Sequence, residues 1–193
     1  MAVVPLPETA GVMPTGFALF STVIGPCSIA WGERGIVGVQ LPERDEALTR
    51  ARMQASFPAL AEALPPPSVR AAIDATTAML AGAPLDLLEI VLDEEGVPEF
   101  HRRVYAIARR IRPGETRTYG EVAEELGGKG LARAVGQALG RNPFAPVVPC
   151  HRVLAADGRP GGFSAPGGAL AKMRMLHNEG ARPTGTASLF DAF

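Results

Sequence analysis

Three short apolar stretches, residues 17–23, 28–31 and 35–41, are separated by turns rich in Gly and Pro, a pattern that predicts strands joined as antiparallel hairpins. A helix is expected from Arg44 to about Ser56, and Pro65-Pro66-Pro67 then interrupts the chain. Ser68 is placed to N-cap a second helix running to Leu80, and residues 85–92 read as a further strand. After the acidic segment Asp93-Glu94-Glu95-Gly96 the pattern changes. Phe100, Val104, Ile107 and Ile111 recur at helical spacing on one face, with Arg102, Arg103, Arg109 and Arg110 off it. Pro113-Gly114 ends that helix. Thr118 and Glu121 fit a capping box opening a short helix to Leu126, packed through Val122 and Leu126. A turn of Gly127-Gly128-Lys129-Gly130 leads into a helix from Leu131 to about Arg141.

Helix, glycine turn and helix at this length form a helix-turn-helix signature, one that other αα-hairpins share. Along the second helix Leu131, Val135 and Leu139 should face the core, and Arg133, Gln137 and Arg141 the solvent. Ala132, Gly136 and Gly140 form a row of small residues between them. A small, basic outer face suits close approach to a nucleic-acid groove; a solvated polar face gives the same pattern. The reading is therefore α+β: residues 1–95 as a small α/β domain, 96–180 as a mostly helical domain, and 181–193 as a tail.

Composition narrows the class. Apolar residues make up 47% of the 193, enough for a sizeable core, and charged residues 20%. No apolar run approaches the roughly 18 residues of a membrane span. The first residues lack the basic and apolar regions of a secretory signal, so a cytoplasmic protein with Cys27 and Cys150 both reduced is expected. The net charge of −1 conceals an asymmetry. Residues 1–95 hold 5 Arg/Lys and 12 Asp/Glu, a balance of −7; residues 96–193 hold 14 and 8, a balance of +6. The second half thus carries its own positive field, compatible with nucleic acid or with attraction between the two halves.

The chemistry concentrates between Asn142 and Val153. Pro143, Pro146 and Pro149 fix the path of the chain into Cys150. A thiol is a nucleophile as its thiolate, and an ordinary Cys is mostly protonated near neutral pH. His151 could take the proton, provided the chain turns there or a water bridges the two groups. Glu179 is the natural carboxylate to orient His151, completing a nucleophile, base and orienter. Cys-His alone also fits an inert buried thiol beside a histidine.

Taken together, Pro149-Cys150-His151-Arg152-Val153, preceded by Arg141-Asn142-Pro143, resembles the active-site signature of O6-alkylguanine-DNA alkyltransferases, also called methylated-DNA–protein-cysteine methyltransferases. The resemblance spans about residues 100–180. Thr118-Tyr119-Gly120-Glu121-Val122-Ala123 is similar to the first helix of that family's helix-turn-helix, and Ala132-Arg133-Ala134-Val135-Gly136 to its recognition helix. Gly161-Gly162-Phe163-Ser164 resembles its substrate-pocket loop, and Asn178-Glu179-Gly180 its closing glutamate.

The resemblance implies a ribonuclease H-like first domain and a winged-helix-like second one. It implies that Cys150 accepts the alkyl group, that His151 acts on the thiol through a water, and that Glu179 orients His151. Asn142 would hold the turn around the cysteine, and Tyr119 would donate a hydrogen bond to the leaving base. Arg133 would fill the stack vacated by a flipped nucleotide, with Ala132, Gln137, Arg141 and Thr118 at the DNA. Phe163, Ser164, Val153 and Arg152 would line the substrate pocket. The partner implied is double-stranded DNA carrying O6-alkylguanine, bound by a monomer without metal or other cofactor. Two features depart from the family: Phe163 stands where many members have Tyr, and the loop after Ser164 is longer. The first domain also lacks the Cys/His spacing of the structural zinc found in some members. Two other classes remain: a non-catalytic damage-binding or regulatory protein on the same scaffold, and a cysteine hydrolase using Cys150 and His151. In the tail, Ser188-Leu189-Phe190 is similar to peptides that dock on sliding clamps, with a packed or disordered tail as the alternative.

Overall fold

The computed structural model describes residues 15–161 and 167–181. The three apolar stretches form an antiparallel sheet, β1 (Gly16–Thr22), β2 (Gly25–Gly32) and β3 (Gly35–Gln40), in that spatial order. The second strand begins earlier than its apolar run, because Gly25 and Pro26 pair with Thr22 and Ser21. Helices cover both faces: α1 (Glu46–Ser56) and α2 (Pro67–Leu80). Phe17 and Ala30 join Met53 of α1, whereas Ala18, Ile29 and Trp31 join Val69, Ala72 and Met79 of α2. Successive side chains of a strand alternate between faces, so a sheet packed on both sides needs apolar residues at both parities. That accounts for strands that read as apolar runs. A register shift between Ala30 and Trp31 then places Ile36 and Val39 of β3 in the α2-side cluster together.

Two expectations for this half fail. Ser68 is not the cap of α2: the helix starts at Pro67, whose ring suits the first helical position, and Pro66 precedes it without a side-chain cap. Residues 85–92 form no strand beyond a single bridge of Leu92 to Ile36. Instead the chain curls around the guanidinium of Arg109, whose Nη2 donates to the carbonyls of Leu87, Leu88 and Ile90 at 2.9, 2.8 and 2.9 Å. Leu87 adopts a left-handed φ of 58° within this curl.

The second half is helical. α3 (Glu99–Arg109), α4 (Tyr119–Glu125) and α5 (Ala132–Gly140) enclose a core of Val104, Ile107, Val122, Val135 and Leu139. Tyr105 stays within this core by donating its hydroxyl to the Ala138 carbonyl at 3.0 Å. The capping box forms in full, with Glu121 N donating to Thr118 Oγ1 and Thr118 N to Glu121 Oε2. A 3-10 turn at Lys129–Leu131 precedes α5, so Leu131 is only half-buried. Three further elements go beyond what the sequence pattern predicts. β4 (Arg117–Thr118) and β5 (Val153–Leu154) pair in parallel, and α6 (Gly168–Asn178) closes the described chain. The result is an α/β domain followed by a mostly helical one, an α+β fold. Among the described residues no helix is long and apolar enough to cross a membrane.

Arg109 thus fastens the linking segment to α3. Arg109→Met keeps the apolar stem but removes the donor shared by three carbonyls, of which that of Leu87 keeps the Ile90 N–H at 3.3 Å. It should lower the unfolding free energy by about 1–3 kcal/mol in reversible denaturant melts.

Candidate active site

Cys150 opens a 3-10 turn, Cys150–Arg152, between the proline-guided loop and β5. The chain turns here, so consecutive side chains are not held on opposite sides as on a strand. Asn142 holds the loop: its Nδ2 donates to the Val148 carbonyl at 2.9 Å and its Oδ1 accepts from Phe144 N at 2.9 Å. Cys150 retains 7% exposure at the edge of the helical core. Burial pushes its pKa up. Opposing that rise are an Asn142 side-chain hydrogen bond, the Lys172 charge, and the backbone N–H groups of Cys150 and His151.

His151, Arg152 and Glu179 form a buried network. His151 Nε2 lies 2.9 Å from Glu179 Oε1. Arg152 grips the same carboxylate through Nε to both oxygens and through Nη2 to Oε1 at 2.7 Å. Its Nη1 donates to the Ile111 carbonyl at 2.7 Å, just beyond the end of α3. Burial pushes the Glu179 pKa up, but hydrogen bonds from His151 and Arg152 outweigh it and hold the carboxyl at about 2. Burial likewise lowers the His151 pKa, against the pull of Glu179, so the imidazole rests neutral. An ionised Glu179 only accepts, which assigns the proton to Nε2 and leaves Nδ1 with a free lone pair. Nδ1 is buried and has no hydrogen-bond partner among the described residues.

Lys172 is a site residue that the sequence reading missed. It is fully buried on α6, donates to the Val153 carbonyl at 2.6 Å, and sits 5.6 Å from the Tyr119 ring centroid. Burial lowers its pKa to about 8, and the Cys150 thiolate works against that fall. Its signal was the company it keeps: Met175 and Leu176 follow at helical spacing and are buried like it. A lysine among the buried positions of a helix stands out only once the helix is recognised. Tyr119, half-buried at the start of α4, lies against Gly161, where a Cβ would come within 3.1 Å of its hydroxyl. Burial, and secondarily the Cys150 charge, raise its pKa, so the phenol keeps its proton.

The remaining candidates separate. Arg133, Gln137 and Arg141 are exposed on or just after α5, with Ala132 half-buried beside them. Thr118 spends its hydroxyl in the helix cap. Val153 is buried in β5, and the Arg152 guanidinium is committed to Glu179 and Ile111. Phe163, Ser164 and the clamp-like tail segment lie outside the described residues. Among the described residues no cluster of three His, Cys, Asp or Glu side chains is arranged to hold a metal.

Such a geometry is that of a nucleophilic cysteine carried on a helix-turn-helix domain. Residues 99–181 match the family described as 6-O-methylguanine DNA methyltransferase, DNA binding domain. A methylated-DNA–protein-cysteine methyltransferase of Mycolicibacterium paratuberculosis is 44% identical over 126 residues, 65% of this chain and 74% of the relative. The crystal structure of Mycobacterium tuberculosis O6-methylguanine methyltransferase superposes with a TM-score of 0.68 at 32% identity, covering 92% of this chain and all of that one. The same organism's OGT in complex with DNA gives 0.67 at 32% identity, over 88% of this chain and 96% of that one. The chain belongs to the methylated-DNA–protein-cysteine methyltransferase family and is an enzyme of that class.

The Glu179 pKa sets an acid limb of stability. Its folded value of about 2 lies below the ordinary 4.5, so its contribution is complete above about 4.5 and is lost as pH falls toward 2. Melting temperature measured from pH 6 to pH 2 should fall across that window, and less steeply in Glu179→Gln than in the wild type. Parallel slopes would show that the carboxylate is not held as described.

Proposed function

We propose that this chain repairs alkylated DNA by transferring the alkyl group from O6 of a flipped-out guanine to Cys150, once per molecule. The observation that carries the reading is the Cys150 thiol beside a histidine fixed by a buried glutamate. The thiol proton passes through a water to His151 Nδ1, and the imidazolium is stabilised by Glu179. The Cys150 sulfur, its negative charge supported by Lys172 and Asn142, attacks the alkyl carbon in line with the C–O bond. As the C–S bond forms, the C–O electron pair returns to the guanine, which leaves as an anion. Tyr119 donates a hydrogen bond to that anion, and the base regains its proton from solvent. O4-alkylthymine offers the same alkyl–oxygen bond and is a second substrate under this reading.

Stacking blocks in-line attack within a duplex, so the nucleotide must be extruded, at a cost of a few kcal/mol. The exposed α5 row, with small residues beside Arg133, suits an approach to the minor groove in which Arg133 occupies the vacated position. Contacts to phosphate by Arg and Lys should dominate, because lesions arise in any sequence. A thioether has no carbonyl for water to attack and no disulfide for cellular thiols to exchange. The alkylated cysteine is therefore an end state.

Incubation with duplex DNA carrying labelled O6-methylguanine tests the reading. Label should appear on the peptide containing Cys150, stopping at one methyl per chain without added metal or nucleotide. Tight binding without transfer would favour a non-catalytic damage-binding protein, and repeated turnover or transfer to Cys27 would overturn the mechanism. Arg133→Ala should slow repair of the duplex lesion by about tenfold, roughly 1.4 kcal/mol in the barrier, and leave reaction with the free modified base almost unchanged. Equal losses on both substrates would assign Arg133 a structural role.

A further inference from the structure

Among the described residues the N-terminal domain places no side chain at the site, yet it grips both segments that form it. On one side Val39 N of β3 donates to the Pro143 carbonyl at 2.8 Å, behind Asn142. Val147, from the loop leading to Cys150, is buried in the sheet's own core. On the other side α6 is seated on the same domain along its length. Arg174 Nη2 donates to the Val23 carbonyl at 3.0 Å, Met175 enters the sheet core, and Asn178 Nδ2 donates to the Leu80 carbonyl at 3.0 Å.

The last of these contacts lies one residue from Glu179. Leu80 ends α2, so its carbonyl belongs to the last turn, which has no partner within the helix. Asn178 supplies that partner. Gly82 makes room for the approach: it adopts φ +102°, and a Cβ there would lie 2.6 Å from the Asn178 carbonyl oxygen. Asn178 ends α6, Glu179 is its C-cap, and Gly180 then turns the chain with φ +70°. A helix end of this kind frays readily unless it is tied down. Here one residue ties it to the first domain and the next reaches the catalytic histidine.

We propose that Asn178 is a positioning residue: by fastening the last turn of α6 to the end of α2, it holds Glu179, and through it His151, in register with Cys150. The inference rests on the reading of Cys150 as a thiol activated by His151 and Glu179. It gives the first domain a task in the reaction. The fastening sets the position of the carboxylate, while Arg152 sets its charge and orientation.

The test is the rate of Cys150 alkylation by iodoacetamide against pH, read on the Cys150 peptide by mass spectrometry in the full chain, with melting temperature measured in parallel. Asn178→Asp keeps the shape and loses the donor. Gly82→Ala disturbs the same contact from the opposite side and leaves α6 unaltered in sequence. Both should shift the profile to higher pH and slow alkylation near neutrality on the order of fivefold, because rate follows the thiolate fraction. Neither should add to the effect of Glu179→Gln. A lowered melting temperature with an unmoved profile in both variants would overturn the proposal, leaving Asn178 a structural residue only. A profile moved by Glu179→Gln but by neither variant would overturn it while sparing the activation reading. A profile unmoved by Glu179→Gln would remove both. None of these outcomes depends on transfer from DNA, which the labelled-lesion experiment tests separately.

Discussion

Everything at the site depends on one buried carboxylate. A charge taken out of water is costly unless it is paired and hydrogen-bonded, and Glu179 is both. Arg152 meets it in a fork, His151 adds a further bond, and the spare arm of Arg152 closes on Ile111. Three pieces distant in sequence are thereby joined: the end of α3, the turn carrying Cys150, and the end of α6. Removing one partner of such a pair leaves the other charge stranded, a loss of about 3–5 kcal/mol. The network therefore fixes a geometry more than it adds net stability, since a well-packed apolar substitute would hold the fold as well. What an apolar substitute could not do is hold the histidine in the tautomer that leaves its buried Nδ1 with a free lone pair.

The same interior that fixes the histidine works against the thiol. Burial opposes thiolate formation and also lowers the pKa of the Lys172 ammonium placed to support it. The two costs are connected: a thiolate and an ammonium in one dry site each favour the charged form of the other. The resting state is consequently a poised one. Under the proposed mechanism the sulfur becomes anionic as its proton leaves, and the developing charge meets the Lys172 ammonium and the donors already in place. Preorganised donors of this kind need no rearrangement at the moment of reaction.

The legibility of these parts follows from how local their causes are. The strands, the capping box of Thr118 and Glu121, and the inward row of α3 rest on short-range patterns and were readable residue by residue. Cys150, His151 and Glu179 were readable through local motifs, although only the fold shows the last of them arriving at 2.9 Å from His151. α6 escaped because it is packed on several sides: Met175 joins the sheet core, Met173 and Leu176 pack on Leu154, and Lys172 points toward the site. A helix buried on several faces lacks the single apolar stripe that announces it. Missing α6 meant missing Lys172. Residues 85–92 misled for the opposite reason. Their apolar content suggests a strand, but a long-range partner, Arg109, takes up their carbonyls and bends them out of one.

The two cysteines show what separates a reactive thiol from an inert one. Both are buried, so burial by itself does not discriminate. Cys27, within β2, is pushed up to about 12, relieved only by a hydrogen bond with Thr22. Its neighbours in the sheet core are aliphatic and aromatic, and nothing there would receive its proton. Cys150 instead has an amide, an ammonium and backbone N–H groups that lower its pKa, beside a histidine paired with Glu179. Each of these favours the anion over the thiol, and a thiolate is the form that attacks carbon. Selectivity between the two sulfurs is thus set by the polar groups around each, and the proline-guided loop is what brings those groups to Cys150. A loop free to move would not hold the sulfur in one position. Rigidity at this point, supplied jointly by the prolines, Asn142 and the grip of the first domain, is what turns an ordinary thiol environment into a directed one.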